Sequence, residues 1–230
     1  MKKNKNQQTL FFGLINKKER LGLSWKGWIS GVLISISFFV FFLKNIYPFL
    51  APINRVESKV LVVEGWMNDE DMKEAVNEFK SYKYEQIYVT GSPLEKGFFL
   101  SEYKNLAELG TATLKKLGLD SSKVIAVPGP GTARDRTYTS ALVLKKYFED
   151  HKINVKSFNL FSSGPHSKRS QFLFNLAFKN KVKIGIIAQK NPSFEAESWW
   201  RSSAGVRTII SEFIAYTYAL FFKYTHLGIL

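Results

Sequence analysis

The sequence predicts an α/β fold: a mainly parallel five-stranded sheet covered by helices on both faces, preceded by one membrane-spanning helix. Three observations carry this. Five short β-branched runs, each closed by a turn signal, recur between residues 59 and 188; segments of helical period separate them; and 17 residues without a charge precede them all. Strands alternating with helices at this spacing imply right-handed crossovers, and hence parallel pairing with both sheet faces buried.

The uncharged stretch is "GWISGVLISISFFVFFL", between Lys26 and Lys44. A hydrocarbon core of about 30 Å needs roughly 20 helical residues. Trp25, Trp28 and Tyr47 suit the interface, and Lys26 and Lys44 can extend outward, so the flanks supply the difference. With no polar face to turn to water, a buried soluble helix is the lesser alternative. Seven cations stand before residue 28 against Glu19 alone, whereas Lys44, Arg55 and Lys59 come after the stretch. The positive-inside bias then keeps the N-terminus in the cytoplasm and exports the rest. A cleaved signal peptide is the rival, but no small-x-small site follows the apolar run. The expected organisation is a basic cytoplasmic segment (1–26), a signal anchor (27–47), a linker with Pro48 and Pro52 (48–58) and an α/β domain (59–224).

Within the domain, "KVLVVEG" is the first strand, and "DEDMKEAVNEFKSY" comes next, with Met72, Ala75, Val76 and Phe79 at helical spacing and acids in its first turn. "EQIYVTG" is the second strand, with a helix over 98–117 stopped by Gly118. "KVIAVPG" is the third, followed by "PGTARDRT" and a helix through "YTSALVLKKYFED"; "VKSFNLFSS" is the fourth, with "PHSKRSQFLFNLAF" as its helix. "KVKIGIIA" is the fifth. The tail "VRTIISEFIAYTYALFFKY" has helical period, but its most apolar part, 213–222, is too short for a second span. It is expected to pack on the sheet, with contact to the membrane surface as the alternative.

Net charge is +14; the first 27 residues hold +6 and the domain keeps an excess of +8. Such a domain suits anionic lipid headgroups or phosphorylated substrates, and an anchored, exported position argues against nucleic acid. The absence of cysteine excludes disulfides, thiolate metal sites and a cysteine nucleophile. His151, His166 and His226 form no pair at ligand spacing, so no metal centre is expected. "GPG" lacks the third glycine of a dinucleotide loop and follows the wrong strand, and neither a Walker A sequence nor G-x-S-x-G is present.

Ligands of open parallel sheets bind beyond the carboxyl ends of the strands. That rule nominates Glu64-Gly65-Trp66, Gly91-Ser92-Pro93, Gly131 to Thr137, and Ser162 to Arg169. In the last of these, Pro165 opens a helix whose first amides, with His166, Lys168 and Arg169, favour an anion; the plain reading is a capped helix with exposed cations. Asp135 is either an N-cap or an orienting partner for Arg136 or His166. Glu64, directly after "VLVV", either caps a turn or enters the crevice, where with His166 it makes an acid–base couple. The candidates are therefore His166, Glu64 and Asp135 for chemistry, and Gly65, Trp66, Gly91, Ser92, Arg136, Thr137, Ser163 and Arg169 for holding the substrate.

The motifs "VVEGWMND", "VTGSP", "ARDRTYTSALVLKKYF", "SSGPHSKRSQFLFNLAF" and "WWRSSAGVRTIISEFIAYTYALFF", in this order, resemble the YdcF, SanA and ElyC family of bacterial envelope proteins. The resemblance runs from about Lys59 to Leu220 and includes the single anchor of SanA-like members. It departs at Gly91-Ser92, where a double glycine is usual, and in "ARDRTYTSA", which lacks the usual asparagine; "EGW" and "DRTY" place it with a subgroup. It implies a Rossmann-like domain with its functional residues at the strand ends and a role in cell-envelope biogenesis. The expected partner is an anionic lipid or a phosphorylated envelope precursor, bound at the crevice, with hydrolysis or transfer there as the enzymatic version of the reading. A non-catalytic membrane interaction protein and a nucleotide or S-adenosylmethionine binder are the alternatives. The sequence designates no cofactor and no oligomeric state.

Overall fold

The computed structural model describes residues 9–10, 15–16, 23–95, 101–132 and 134–226, with side chains between Leu23 and Phe221. The chain divides into two compact units, Met1–Phe42 and Leu43–Leu230.

In the first unit, β1 (Thr9–Leu10) pairs antiparallel with β2 (Ile15–Asn16), inside the segment expected only to be basic. Most of its cations lie outside the described residues. Helix α1 (Trp25–Leu50) starts where Ser24 Oγ accepts from the Gly27 amide, 3.2 Å, an N-cap bond. It is 26 residues long, and an 18-residue window within it has a mean hydropathy of 1.9, so the helix is long and apolar enough to cross a membrane.

The helix ends inside the second unit. The stretch 48–58, read as a linker from its prolines, instead supplies the last turn of α1 and an edge strand, β3 (Ile53–Asn54). Pro48 removes one helical donor, but burial of Ile46 and Leu50 on either side of it stabilises the turn, at roughly 1.5–3 kcal/mol for each side chain.

Among the described residues the sheet has six strands, in the order β3, β8 (Lys183–Gln189), β7 (Ser157–Ser163), β4 (Val60–Glu64), β5 (Gln86–Gly91), β6 (Val124–Pro128). The five expected strands are mutually parallel; the sixth is β3, paired antiparallel to β8 over two residues. Two residues carry no readable period, which is why the sequence shows five strands and the structure six.

Alternation along the strands splits the core in two. Leu61 and Val63 of β4 meet Met72, Ala75, Val76 and Phe79 of α2 (Asp69–Ser81) and Leu114 of α3 (Leu106–Lys116). Val62, pointing the other way, joins Leu144 and Phe148 of α4 (Arg136–Asp150) and Phe174 and Ala177 of α5 (His166–Ala177). Helices therefore cover both faces. Helix α3 begins at Leu106; residues 101–105, expected to be helical, lead into Asn105, whose side chain accepts from the Glu108 amide, and 98–100 lie outside the described residues. The C-terminal α6 (Ser203–His226) packs mainly on α5 and on the 3-10 turn Ala196–Arg201.

From β4 the chain proceeds to β5 and β6 on one side, and later to β7 and β8 on the other. The strand order thus reverses between β4 and β7, which opens a crevice at their carboxyl ends.

Candidate functional site

Glu64 ends β4 at that reversal, and only 3% of it is exposed. Both its oxygens accept from Ser170 Oγ, at 3.1 and 3.0 Å. Ser170 lies one turn after His166 on α5, so the two share a helix face. His166 Nε2 is 3.8 Å from Glu64 Oε1, and the ring of Trp66 packs against the imidazole at 4.9 Å.

The other ring nitrogen faces α6. His166 Nδ1 lies 3.0 Å from Glu212 Oε1, and Arg169 forks onto the same carboxylate, Nε to Oε2 at 2.9 Å and Nη2 to Oε1 at 3.1 Å. Arg169 Nη2 is also 2.9 Å from Nδ1. A ring nitrogen either donates or accepts, so the two contacts at Nδ1 exclude each other. If Nδ1–H is donated to Glu212, Arg169 keeps its own bonds to the carboxylate, and neutral His166 presents a lone pair on Nε2. Nε2 is buried and lacks a hydrogen-bond partner among the described residues. Burial pushes the Glu212 carboxyl up, but hydrogen bonds and charge from His166 and Arg169 outweigh it and bring it down to about 2.

These groups face a cavity of about 790 Å³. Of the sequence-nominated residues, Glu64, Trp66, Gly91, Ser92, Asp135, Arg136, Thr137, Ser163, His166 and Arg169 line it. Gly65 does not. A Cβ there would overlap the Leu106 carbonyl, and one at Gly91 would overlap the Ala107 amide, so both glycines let α3 sit directly on the strand ends.

Asp135 occupies the N-cap position of α4 with φ 55° and ψ 36°, and its side chain makes no cap bond. The left-handed region is one that Asp tolerates better than most residues. Its carboxylate is not paired with Arg136 or His166 among the described residues. Arg136 instead reaches Glu95 Oε1 at 3.4 Å across open surface.

This geometry alters the charge picture. Arg169, nominated as an anion holder, is held by Glu212, and the wall as a whole carries Glu64, Glu95, Asp135 and Glu212 against Arg136, Arg169 and Arg207. The cavity is near charge balance despite the basic domain around it. Arg207, exposed on α6, has no ion-pair partner among the described residues.

Sequence reasoning missed Glu212, Ser170, Arg207 and Asp71. Glu212 is the one acid within "VRTIISEFIAYTYALFF", a signal that helical period alone discounts as a solvated position. Asp71, third in α2, is buried; burial pushes its carboxyl above the usual range, opposed by a hydrogen bond with Ser163. Neither a family model nor a curated protein matches the chain.

Proposed function

We propose that the protein is a membrane-anchored enzyme of the bacterial cell envelope that binds a phosphorylated or otherwise anionic precursor and hydrolyses or transfers it. One observation carries the reading: an ordered line Glu212–His166–Glu64, whose members line a cavity large enough for a small-molecule headgroup and in which the buried His166 Nε2 has no hydrogen bond among the described residues. Glu212 fixes the tautomer, His166 Nε2 takes a proton from water or an acceptor hydroxyl, and Glu64, 3.8 Å away, stabilises the imidazolium that results. The anion is held at the rim by Arg136, Arg207 and the amides at the start of α4. The strand order outside β3 fits a Rossmann-like domain, and the resemblance to the YdcF, SanA and ElyC family supports both the fold and the envelope role. The anchor runs from a cytoplasmic N-terminus, with the second unit outside the cytoplasmic membrane.

The test is native mass spectrometry of the protein solubilised from its own membrane, alongside complementation of a deletion strain. Wild type retains a lipid-phosphate or related anion, and His166→Ala retains the ligand but does not complement. Intact complementation by His166→Ala overturns the catalytic role. A C-terminal reporter active only in the cytoplasm overturns the topology.

A non-catalytic role in membrane interaction is favoured by one feature, the uncovered apolar row on α6. Truncating the tail does not separate the two readings, because α6 also carries Glu212. Ile214→Ser against Glu212→Gln does, since the first alters only the outer face.

A further inference from the structure

Helix α6 has three differently occupied faces. Ile209 and Ala219 are buried in the domain, and Thr208, Glu212 and Ala215 look into the cavity. On the third face Ile210, Ile214 and Phe221 are 49%, 63% and 67% exposed. Their spacing puts them on one stripe, and Arg207 lies along its flank. No described residue covers this row, and an apolar ridge beside a cation is the pattern of a helix that lies in a lipid interface.

What the row meets is fixed by its neighbours in the same unit. Trp199 Nε1 donates to the Leu43 carbonyl at 2.9 Å, and Leu43 is the last residue of the uncharged stretch. Tyr47 packs on Phe194 at 6.1 Å, and Phe49 on Tyr216 of α6 at 5.7 Å. If α1 spans the bilayer, Leu43 marks where the chain leaves it. The turn holding Leu43 runs directly into α6, four residues after Trp199. The start of α6 is thereby tied to the residue at which the chain would leave the bilayer. Exposed Arg201 and Trp200, next to Trp199, extend the cation-and-aromatic edge.

We infer that the outer row of α6, Ile210, Ile214 and Phe221, rests in the surface of the bilayer from which the anchor emerges, with Arg201 against lipid phosphates. The inference rests on the proposed anchoring by α1. It also gives α6 two tasks, since the helix that touches lipid on one side holds His166 through Glu212 on the other.

The chain has no cysteine, so single-cysteine labelling needs no background removal. Full-length Ile214→Cys, Ile36→Cys in α1 and Leu117→Cys at the end of α3 are labelled with an environment-sensitive fluorophore. They are reconstituted in vesicles of phosphatidylethanolamine and phosphatidylglycerol, with and without brominated acyl chains. The expected result is quenching at positions 36 and 214 severalfold above that at 117. Quenching at 36 with position 214 no better than 117 overturns the inference and leaves the anchor standing. Quenching at none of the three removes the anchor reading and this inference with it. Self-quenching at 214 that disappears on dilution with unlabelled chain shows a second copy on the row, which also overturns it. Ile210→Cys repeats the measurement where the Ile214 variant does not fold.

Discussion

The domain buries two polar clusters, one at each end of its sheet, and they differ in how completely they are satisfied. At the amino ends of the strands, Asn159 of β7 accepts from the Val56 amide at 2.8 Å. It donates to the Val56 carbonyl at 2.8 Å and to Tyr84 Oη at 2.9 Å. Tyr84 donates to Glu78 at 3.3 Å, and Glu78 receives both prongs of Arg55 at 2.8 Å. At the carboxyl ends, His166 Nε2 has no hydrogen bond among the described residues, Asp135 sits in a left-handed conformation without capping, and Asp71 is buried as an acid. The contrast separates architecture from chemistry. A closed network fixes the chain after α1 onto the sheet, whereas the cluster beside the cavity is left partly unsatisfied among the described residues.

The largest expected effect is at Asn159. Asn159→Leu leaves the Val56 amide and carbonyl and the Tyr84 hydroxyl without these partners, an expected loss of about 3 kcal/mol or more in unfolding of the solubilised protein. The same protein, once folded, is expected to retain its native ligand. Loss of ligand without loss of stability would reverse the assignment of the two ends. Gly185 belongs to the same slot, because a Cβ there would overlap Asn159 Oδ1 and crowd the Val56 amide.

The clusters are also expected to fail at opposite ends of the pH scale. Glu212 has its folded value lowered to about 2 from 4.5, so its contribution is fully present above about 4.5 and is lost as pH falls toward 2. That shift corresponds to on the order of 3 kcal/mol, and Glu212→Gln is expected to flatten the acid limb of a stability-against-pH curve. Tyr84 behaves in reverse. Burial first, and then the charge of Glu78, push its hydroxyl above the tyrosine range, so stability is fully present below the ordinary value of 10 and declines as pH rises beyond it. Tyr84→Phe is expected to remove that alkaline loss while leaving the acid limb alone. An unchanged acid limb in Glu212→Gln would show that the carboxylate is not paired as described.

Sequence reading reaches most of this architecture for a definite reason. Buried parallel strands print their β-branched runs directly, as in "VLVV" and "KIGII", and the strand-end rule then collects Glu64, Asp135 and His166 without any distance being known. What it does not reach depends on contacts between elements far apart in the chain. Glu212 meets His166 across 46 residues, so the sequence assigns Arg169 to a ligand when its partner is a helix. Local signals mislead where burial overrides them: Pro48 and Pro52 suggest a linker, yet Leu50 and Ile46 hold the last turn of α1 in place. Phe98 to Lys104 share a helical composition with the segment Leu106–Lys116, and only the Asn105 cap fixes the true start of α3.

The smallest expected effect is the most direct measure of the open cluster. Asp71 has its folded value raised by burial, so its contribution is fully present below the ordinary value of 3.8 and is lost as pH climbs through the raised one. Once ionised, the buried carboxylate works against folding. Asp71→Asn keeps the shape and a hydrogen-bonding oxygen for Ser163, and is expected to raise stability by up to about 1 kcal/mol in chemical unfolding at pH 7. The same substitution is expected to weaken complementation, because Ser163 lines the cavity and its hydroxyl would lose a charged acceptor. A variant that gains stability and loses function marks Asp71 as part of the site. A variant that loses stability places it with Asn159 among the groups that only hold the fold.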